Sequence, residues 1–161
     1  FWRAKVCGGE VTPSAVFAGG LVISANEKLS VVKPDGAGDV TKTHVPWKGE
    51  DGIPDICSPV SDGKFAYLLT SSGTLTAYDL ATGKKAYEKE LEIEVKASPS
   101  LAGDRLYVWG EKGMTVVVQT GPAYQELARA ELGDEVLASP AFAAGRIYLR
   151  GKKQLYCVGA K

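Results

Sequence analysis

Little in this sequence speaks for chemistry of its own. It has one histidine, His44, and one methionine. A lone imidazole without a cluster of other ligands makes a poor metal site and a poor general base, and a surface strand position is expected for it. The three cysteines, Cys7, Cys57 and Cys157, are odd in number and widely spaced, with no C-x-x-C pair. That pattern suggests neither a zinc site nor a dithiol redox motif. Nineteen basic and nineteen acidic side chains cancel. Overall charge therefore gives no reason to expect nucleic acid as a partner. No apolar run is long enough to span a bilayer as a helix. The chain starts at Phe1 without Met or a signal peptide, so a processed product or a piece of something longer is expected.

What the chain has is repetition. Ser58-Pro59, Ser98-Pro99 and Ser139-Pro140 each lead a short apolar stretch, a Gly-containing turn and a second stretch ending on Tyr67, Tyr107 or Tyr148. Thr12-Pro13 opens a looser copy that turns at Gly19-Gly20. The prolines at 13, 59, 99 and 140 are 46, 40 and 41 residues apart. A period near forty with several short strands per copy is the signature of propeller blades. The expected fold is all-β: a β-propeller of four-stranded antiparallel blades, about four in this chain. They are placed at about 12–47, 57–91, 97–132 and 138–158 of a single module.

Within the first unit, strands are expected at 15–18, 21–24, 29–33 and 40–45, with the extra residues of this longer repeat in the breaker-rich segment 47–55. In the second, Asp62-Gly63 suits a two-residue hairpin. Its outer strand, 85–91, alternates Lys and Glu, which protects an exposed edge. In the third, residues 124–132 have helical propensity, but their place in the repeat argues for strand. The fourth unit has three strands and lacks an outer one.

Residues 1–6 alternate like a strand and stand before the first unit. Placed after residue 161 they align with the second unit, and Trp2 then falls on Tyr87. They are expected to be the outer strand that closes the blade at 138–158. The pairing closes a small four-bladed ring within the chain, or an eight-bladed ring between two copies. Alternatively, further blades of a longer chain precede Phe1 and own this strand. Under the closure, Cys7 lies about 15 Å along the strand from the position facing Cys157, at ~3.3 Å per residue. Disulfide Cα atoms lie within about 7 Å, so three free cysteines are expected. Cys57 and Cys157 align with small residues and read as buried thiols.

The segment 75–87, Leu-Thr-Ala-Tyr-Asp-Leu-Ala-Thr-Gly-Lys-Lys-Ala-Tyr, resembles the docking motif of the PQQ-like, quinoprotein-type β-propeller repeat, Ala-x-Asp-x-x-Thr-Gly-Lys-x-x-Trp. Tyr87 stands in place of its Trp. The resemblance implies that Asp79, Thr82 and Gly83 form a braced turn, and that the aromatic at 87, with Trp2 as its counterpart, stacks between blades. The first and third units have drifted from the motif. The family holds two functional groups: quinone-dependent dehydrogenases, and non-catalytic scaffolds such as the BamB-type lipoprotein of outer-membrane assembly. A dehydrogenase would need PQQ, a bound calcium and a full ring. Its alcohol-oxidising branch also uses adjacent cysteines, which this chain lacks.

The reading adopted is a non-catalytic module with no cofactor, no metal and no catalytic residue. It presents loops to a protein, peptide or glycan in the periplasm or outside the cell. A PQQ-dependent dehydrogenase and an accessory or sensor domain of a larger secreted protein are the alternatives. Ser58, Ser98 and Ser139 are repeat residues rather than nucleophiles, since no histidine is available to serve them. The segment 35–39 has two carboxylates, too few for a calcium loop. Loops from outer to next inner strands gather on one propeller face, and here they carry Glu10, Glu50, Asp51, Asp55, Glu92, Glu94, Asp134 and Glu135. These residues are expected to form an acidic face that attracts a basic partner or cations.

Overall fold

The structure is a computed structural model that describes residues 1–9 and 12–159. It is all-β, and its described residues form an open arc of four blades. β1 (Trp2–Arg3) comes first. The first blade is β2 (Val16–Ala18), β3 (Leu21–Ala25), β4 (Leu29–Val32) and β6 (Lys48–Gly49), with β5 (Gly38–Asp39) inserted before β6. The second blade is β7 (Val60–Ser61), β8 (Phe65–Leu69), β9 (Thr74–Asp79) and β10 (Lys85–Glu90). The third is β11 (Ser100–Ala102), β12 (Arg105–Trp109), β13 (Met114–Gln119) and β14 (Glu126–Glu131). The fourth is β15 (Ala141–Ala143), β16 (Arg146–Arg150) and β17 (Leu155–Gly159), three strands only. Within each blade the neighbours pair antiparallel.

Blades pack face to face because their middle strands are apolar on both sides. Alternate residues of a strand point to opposite faces. Tyr67, Leu69, Leu75 and Ala77 therefore meet Leu106, Val108, Val116 and Val118 of the third blade. Ala66, Leu68, Tyr78 and Leu80 meet Ile23, Ala25, Leu29 and Val31 of the first. Each fully buried leucine contributes about 2 kcal/mol of apolar transfer. The third and fourth blades share Trp109, Val136 and Leu149, with Phe142 and Tyr156 at the margin.

Two sets of hydrogen bonds fix the spacing of the blades. Near the axis, the Ser14 N–H donates to the Ser58 hydroxyl and the Ser58 N–H to the Ser98 hydroxyl, both at 2.9 Å. Ser58 and Ser98 thus act as acceptors, whereas the Ser139 hydroxyl donates to Ser98 O at 3.3 Å. On one face, the segments crossing from the second blade to the third and from the third to the fourth are each strapped down twice. The Val95 N–H donates to Ser71 O in its own blade, and the Glu111 N–H of the next blade donates to Glu94 O. The following crossing repeats this, from Val136 to Glu111 O and from Lys152 to Glu135 O. The crossing segments press so closely on the hairpins that a Cβ at Gly73 would lie 2.0 Å from Ile93 O, and one at Gly113 2.2 Å from Asp134 O.

Several expectations are corrected. The segment 40–45 is not the outer strand of the first blade. Asp39 accepts from the Thr41 N–H and hydroxyl, and Val40 O accepts from the Thr43 and His44 N–H groups, which winds the chain into a turn. The extra residues thus lie before β6, and the first blade runs on to Gly49. His44 lies in a bend rather than a strand, half-buried, with Nδ1 2.7 Å from the Thr43 hydroxyl. The hairpin at Asp62 closes on the pair Ser61 and Ala66, so its loop has four residues rather than two. The Asp62 carboxylate takes up the Lys64 and Phe65 N–H groups there. Residues 1–6 do not close the fourth blade of their own chain. Trp2 and Arg3 pair in parallel with Gly38 and Asp39, and the sheets are not closed. Residues 126–131 are a strand, because antiparallel pairing with β13 outweighs their helical propensity.

Candidate binding face

The turn after β9 shows why its residues recur. Asp79 Oδ1 accepts from the Thr82 N–H and hydroxyl, both at 2.8 Å, and these bonds hold its carboxyl below the usual range. Gly83 has φ +70°, and a Cβ there would lie 2.6 Å from the ring of Trp47. Trp47 donates from Nε1 to Leu80 O at 3.0 Å and stacks on Tyr78. It is the aromatic from the first blade that docks on the second. Sequence reasoning missed it, though 87 − 47 = 40 is the repeat period. Tyr87 performs the same role one blade later and meets Tyr124 edge-on at 6.0 Å. Its hydroxyl is buried without a partner among the described residues, and the nearby turn is held instead by Tyr67, whose hydroxyl accepts the Gly121 N–H at 2.8 Å. Trp2 pairs through its backbone with Gly38 in the insert of the first blade, and nothing lies within 4 Å of a Cβ added at Gly38, so its indole does not dock there as Trp47 docks on Gly83.

Of the eight acidic residues singled out, Glu10 lies outside the described residues. The others share their face with the hairpin turns, which bring lysines. Glu50 pairs with Lys28, Asp51 with Lys85 at 2.9 Å, and Glu135 with Lys152 at 2.9 Å. Asp55 braces Ser71. Burial pulls its carboxyl up, but the hydrogen bonds from the Ser71 hydroxyl and N–H leave it lowered. Asp134 is 5% exposed and accepts from the Lys153 N–H and the Tyr156 hydroxyl, so it ties the fourth blade to the crossing segment. Glu92 and Glu94 remain at the mouth of a groove of about 470 Å³ between the second and third blades. Ile93 and Met114 supply its apolar lining, and Glu131 and Lys112 join its rim. Neither Glu131 nor Lys112 was foreseen, because they lie on an outer strand and a hairpin rather than on a crossing loop. Glu92 sits at φ +58°, unusual for a side chain other than glycine.

All three cysteines are free. Cys57 is buried, which together with the nearby Asp55 carboxylate pushes its thiol up to about 11. Cys157 is exposed, contrary to expectation, because none of the described residues covers its face of the fourth blade. Among the described residues no three His, Cys, Asp or Glu side chains are grouped as metal ligands.

The profile of the family described as outer membrane protein assembly factor BamB matches residues 1–123. The chain belongs to this family of PQQ-like propeller repeats. In fold it resembles the crystal structure of BamB from Moraxella catarrhalis, with a TM-score of 0.74 at 15% identity. That match covers 92% of this chain and 46% of the other, so the chain spans just under half the length of that BamB. The computationally designed Ika4 protein matches with a TM-score of 0.76 at 11% identity, over 99% of this chain and 97% of that one. A quinohemoprotein alcohol dehydrogenase from Pseudomonas putida HK5 matches at 0.68 and 11% identity, over 92% of this chain and 29% of the other. At these identities the likenesses are of fold. No curated protein matches the sequence. No helix among the described residues is long and apolar enough to cross a membrane.

Proposed function

We propose that this BamB-family module is a non-catalytic scaffold that holds a protein partner on its strapped loop face. The partner is a periplasmic or outer-membrane-associated protein. It inserts a basic side chain into the groove between the second and third blades. The observation that carries the reading is the lining of that groove. Ile93 and Met114 suit the aliphatic stem of a lysine or arginine, and Glu92, Glu94 and Glu131 suit its charged head. The crossing segment that carries Glu92 and Glu94 is bonded to both blades, so the groove is held in shape before anything binds.

The test is titration of a labelled peptide with one arginine between apolar residues, read by fluorescence anisotropy. The double variant Glu92→Lys/Glu94→Lys is expected to weaken binding at least tenfold, ~1.4 kcal/mol. Raising the salt concentration is expected to weaken the wild type in the same direction. Binding unchanged by the charge reversal sinks the reading.

A further inference from the structure

The two crossing segments of the strapped face are built alike but charged differently. Glu94 and Glu135 hold the same place, since their carbonyls accept from the next blade's hairpin, from the Glu111 and Lys152 N–H groups. Leu91 and Leu132 also correspond, each donating to the hairpin glycine of its own blade, Gly73 or Gly113. One residue further on, Glu92 at φ +58° therefore corresponds to Gly133 at φ +74°. On the hairpins, Gly110 and Gly151 make equivalent bridges to Val95 and Val136. Glu111 and Lys112 thus correspond to Lys152 and Lys153.

These exchanges change the charge that each groove presents. Lys152 neutralises Glu135 at 2.9 Å, whereas Glu94 has another carboxylate, Glu111, at the corresponding place. Glu92, Glu94, Glu111 and Glu131 form no salt bridge among the described residues, and Arg129 is taken by Glu126 and Leu91 O. A second groove of about 390 Å³ lies between the third and fourth blades and is lined by Lys112, Lys152 and Lys153. Its own carboxylates are answered. Glu135 is paired, and Asp134, 5% exposed, accepts from the Lys153 N–H and the Tyr156 hydroxyl. Glu131 pairs with Met114 across the sheet, which puts it on the side of the first groove. Lys112 and Lys153 are exposed and form no salt bridge among the described residues. Lys112 stays exposed although the following crossing segment straps its hairpin. Lys112 and Glu131 line both grooves, so the two are continuous.

Building on a basic side chain in the first groove, we propose that the partner segment is extended and carries both charges. Its basic residue enters the groove at Glu92 and Glu94. An acidic residue about three positions away lies over Lys112 and Lys153 at the second groove. The spacing follows from the architecture. Blades stack face to face at about 10 Å, and an extended chain advances ~3.3 Å per residue. Complementary charges of this kind fix the register of a partner and reject wrong ones. A uniformly basic segment meets the lysines of the second groove, and a uniformly acidic one meets the glutamates of the first. Discrimination thus comes from repulsion as well as attraction.

Two labelled peptides test this by fluorescence anisotropy at low salt. Both have one arginine between apolar residues. One has a glutamate three residues to each side of the arginine, and the other has glutamine at those positions. The glutamate peptide is expected to bind the wild type at least threefold more tightly. A face that is only acidic gives the opposite sign, because the added carboxylates are repelled. In Lys112→Gln/Lys153→Gln the advantage of the glutamate peptide is expected to vanish. The readout is the ratio between the two peptides, from which any general loss of binding cancels. A glutamate peptide that binds the wild type no better than the glutamine peptide overturns the proposal. So does an advantage that survives the lysine double variant. Glu92→Lys/Glu94→Lys separates the two failures. If it leaves the glutamine peptide bound as in the wild type, the basic side chain in the first groove falls, and this proposal with it. If it weakens that peptide while the glutamates bring no gain, only the charge pattern falls.

Discussion

The indole of Trp47, at the outer edge of the first blade, donates to Leu80 O of the second at 3.0 Å and lies against Gly83 where no side chain fits. One blade therefore reads the turn of the next. The contact couples two residues that the sequence separates by 36 positions. Trp47→Phe keeps most of the apolar contact and loses the hydrogen bond, with an expected cost of about 1 kcal/mol. Gly83→Ala is expected to cost about 1–3 kcal/mol, from φ +70° and from collision with the indole. In a Trp47→Ala background only the φ part remains. Urea unfolding of the double-mutant cycle is expected to show a coupling of at least about 0.5 kcal/mol. Strict additivity would mean that the two residues do not touch.

Gly113 and Gly103 both have positive φ, but only one is crowded. Gly103 has nothing within 4 Å of an added Cβ, whereas at Gly113 that atom meets Asp134 O at 2.2 Å. Gly103→Ala is expected to cost about 1 kcal/mol, the backbone term alone. Gly113→Ala adds about 1–3 kcal/mol, because the strapped crossing segment must move. Equal melting temperatures for the two variants would show that the strap is loose.

Glu126 gives the third blade a pH dependence. Hydrogen bonds from Arg129, and then from the Tyr124 hydroxyl, lower its carboxyl from the ordinary 4.5 to about 2. Arg129 also donates to Leu91 O, which links the pair to the second blade. A carboxyl lowered by folding stabilises the native state above its unfolded value, and that contribution is lost as pH falls from about 4.5 to about 2. Both side chains are about a third exposed, so the pair contributes about 0.5–1 kcal/mol at pH 7. Glu126→Gln is expected to be less stable than wild type at pH 7 and to converge with it near pH 2, measured by urea unfolding across that range. A constant difference would place the effect elsewhere.

The repeat determined much of this fold before any coordinates. Pro13, Pro59, Pro99 and Pro140 set the period, and the Gly-containing turns between them delimited the short strands of each blade. These are local signals. Position in the repeat also settled 126–131 against its helical propensity, since cross-strand pairing decides such cases. The braced turn at Asp79 and Thr82 was legible only through the resemblance of 75–87 to the family motif, and its hydrogen bonds span three residues.

What lay between units was not legible. Trp47 sits in a segment rich in breakers, and only its distance from Leu80 O in space gives it a role. The insert that displaced the outer strand of the first blade turns on Asp39 and Thr41, a choice between two local hydrogen-bond schemes that composition does not decide. The acidic loops looked unopposed in sequence because the lysines that answer them, Lys28, Lys85 and Lys152, belong to other strands and hairpins. Only folding placed them within reach of Glu50, Asp51 and Glu135 and left Glu92 and Glu94 at the groove. Sequence thus determined the blades, whose bonds are between near neighbours. The tertiary structure decided how blades meet, which charges cancel and which edge of the arc stays open, because each of those depends on distances between residues tens of positions apart.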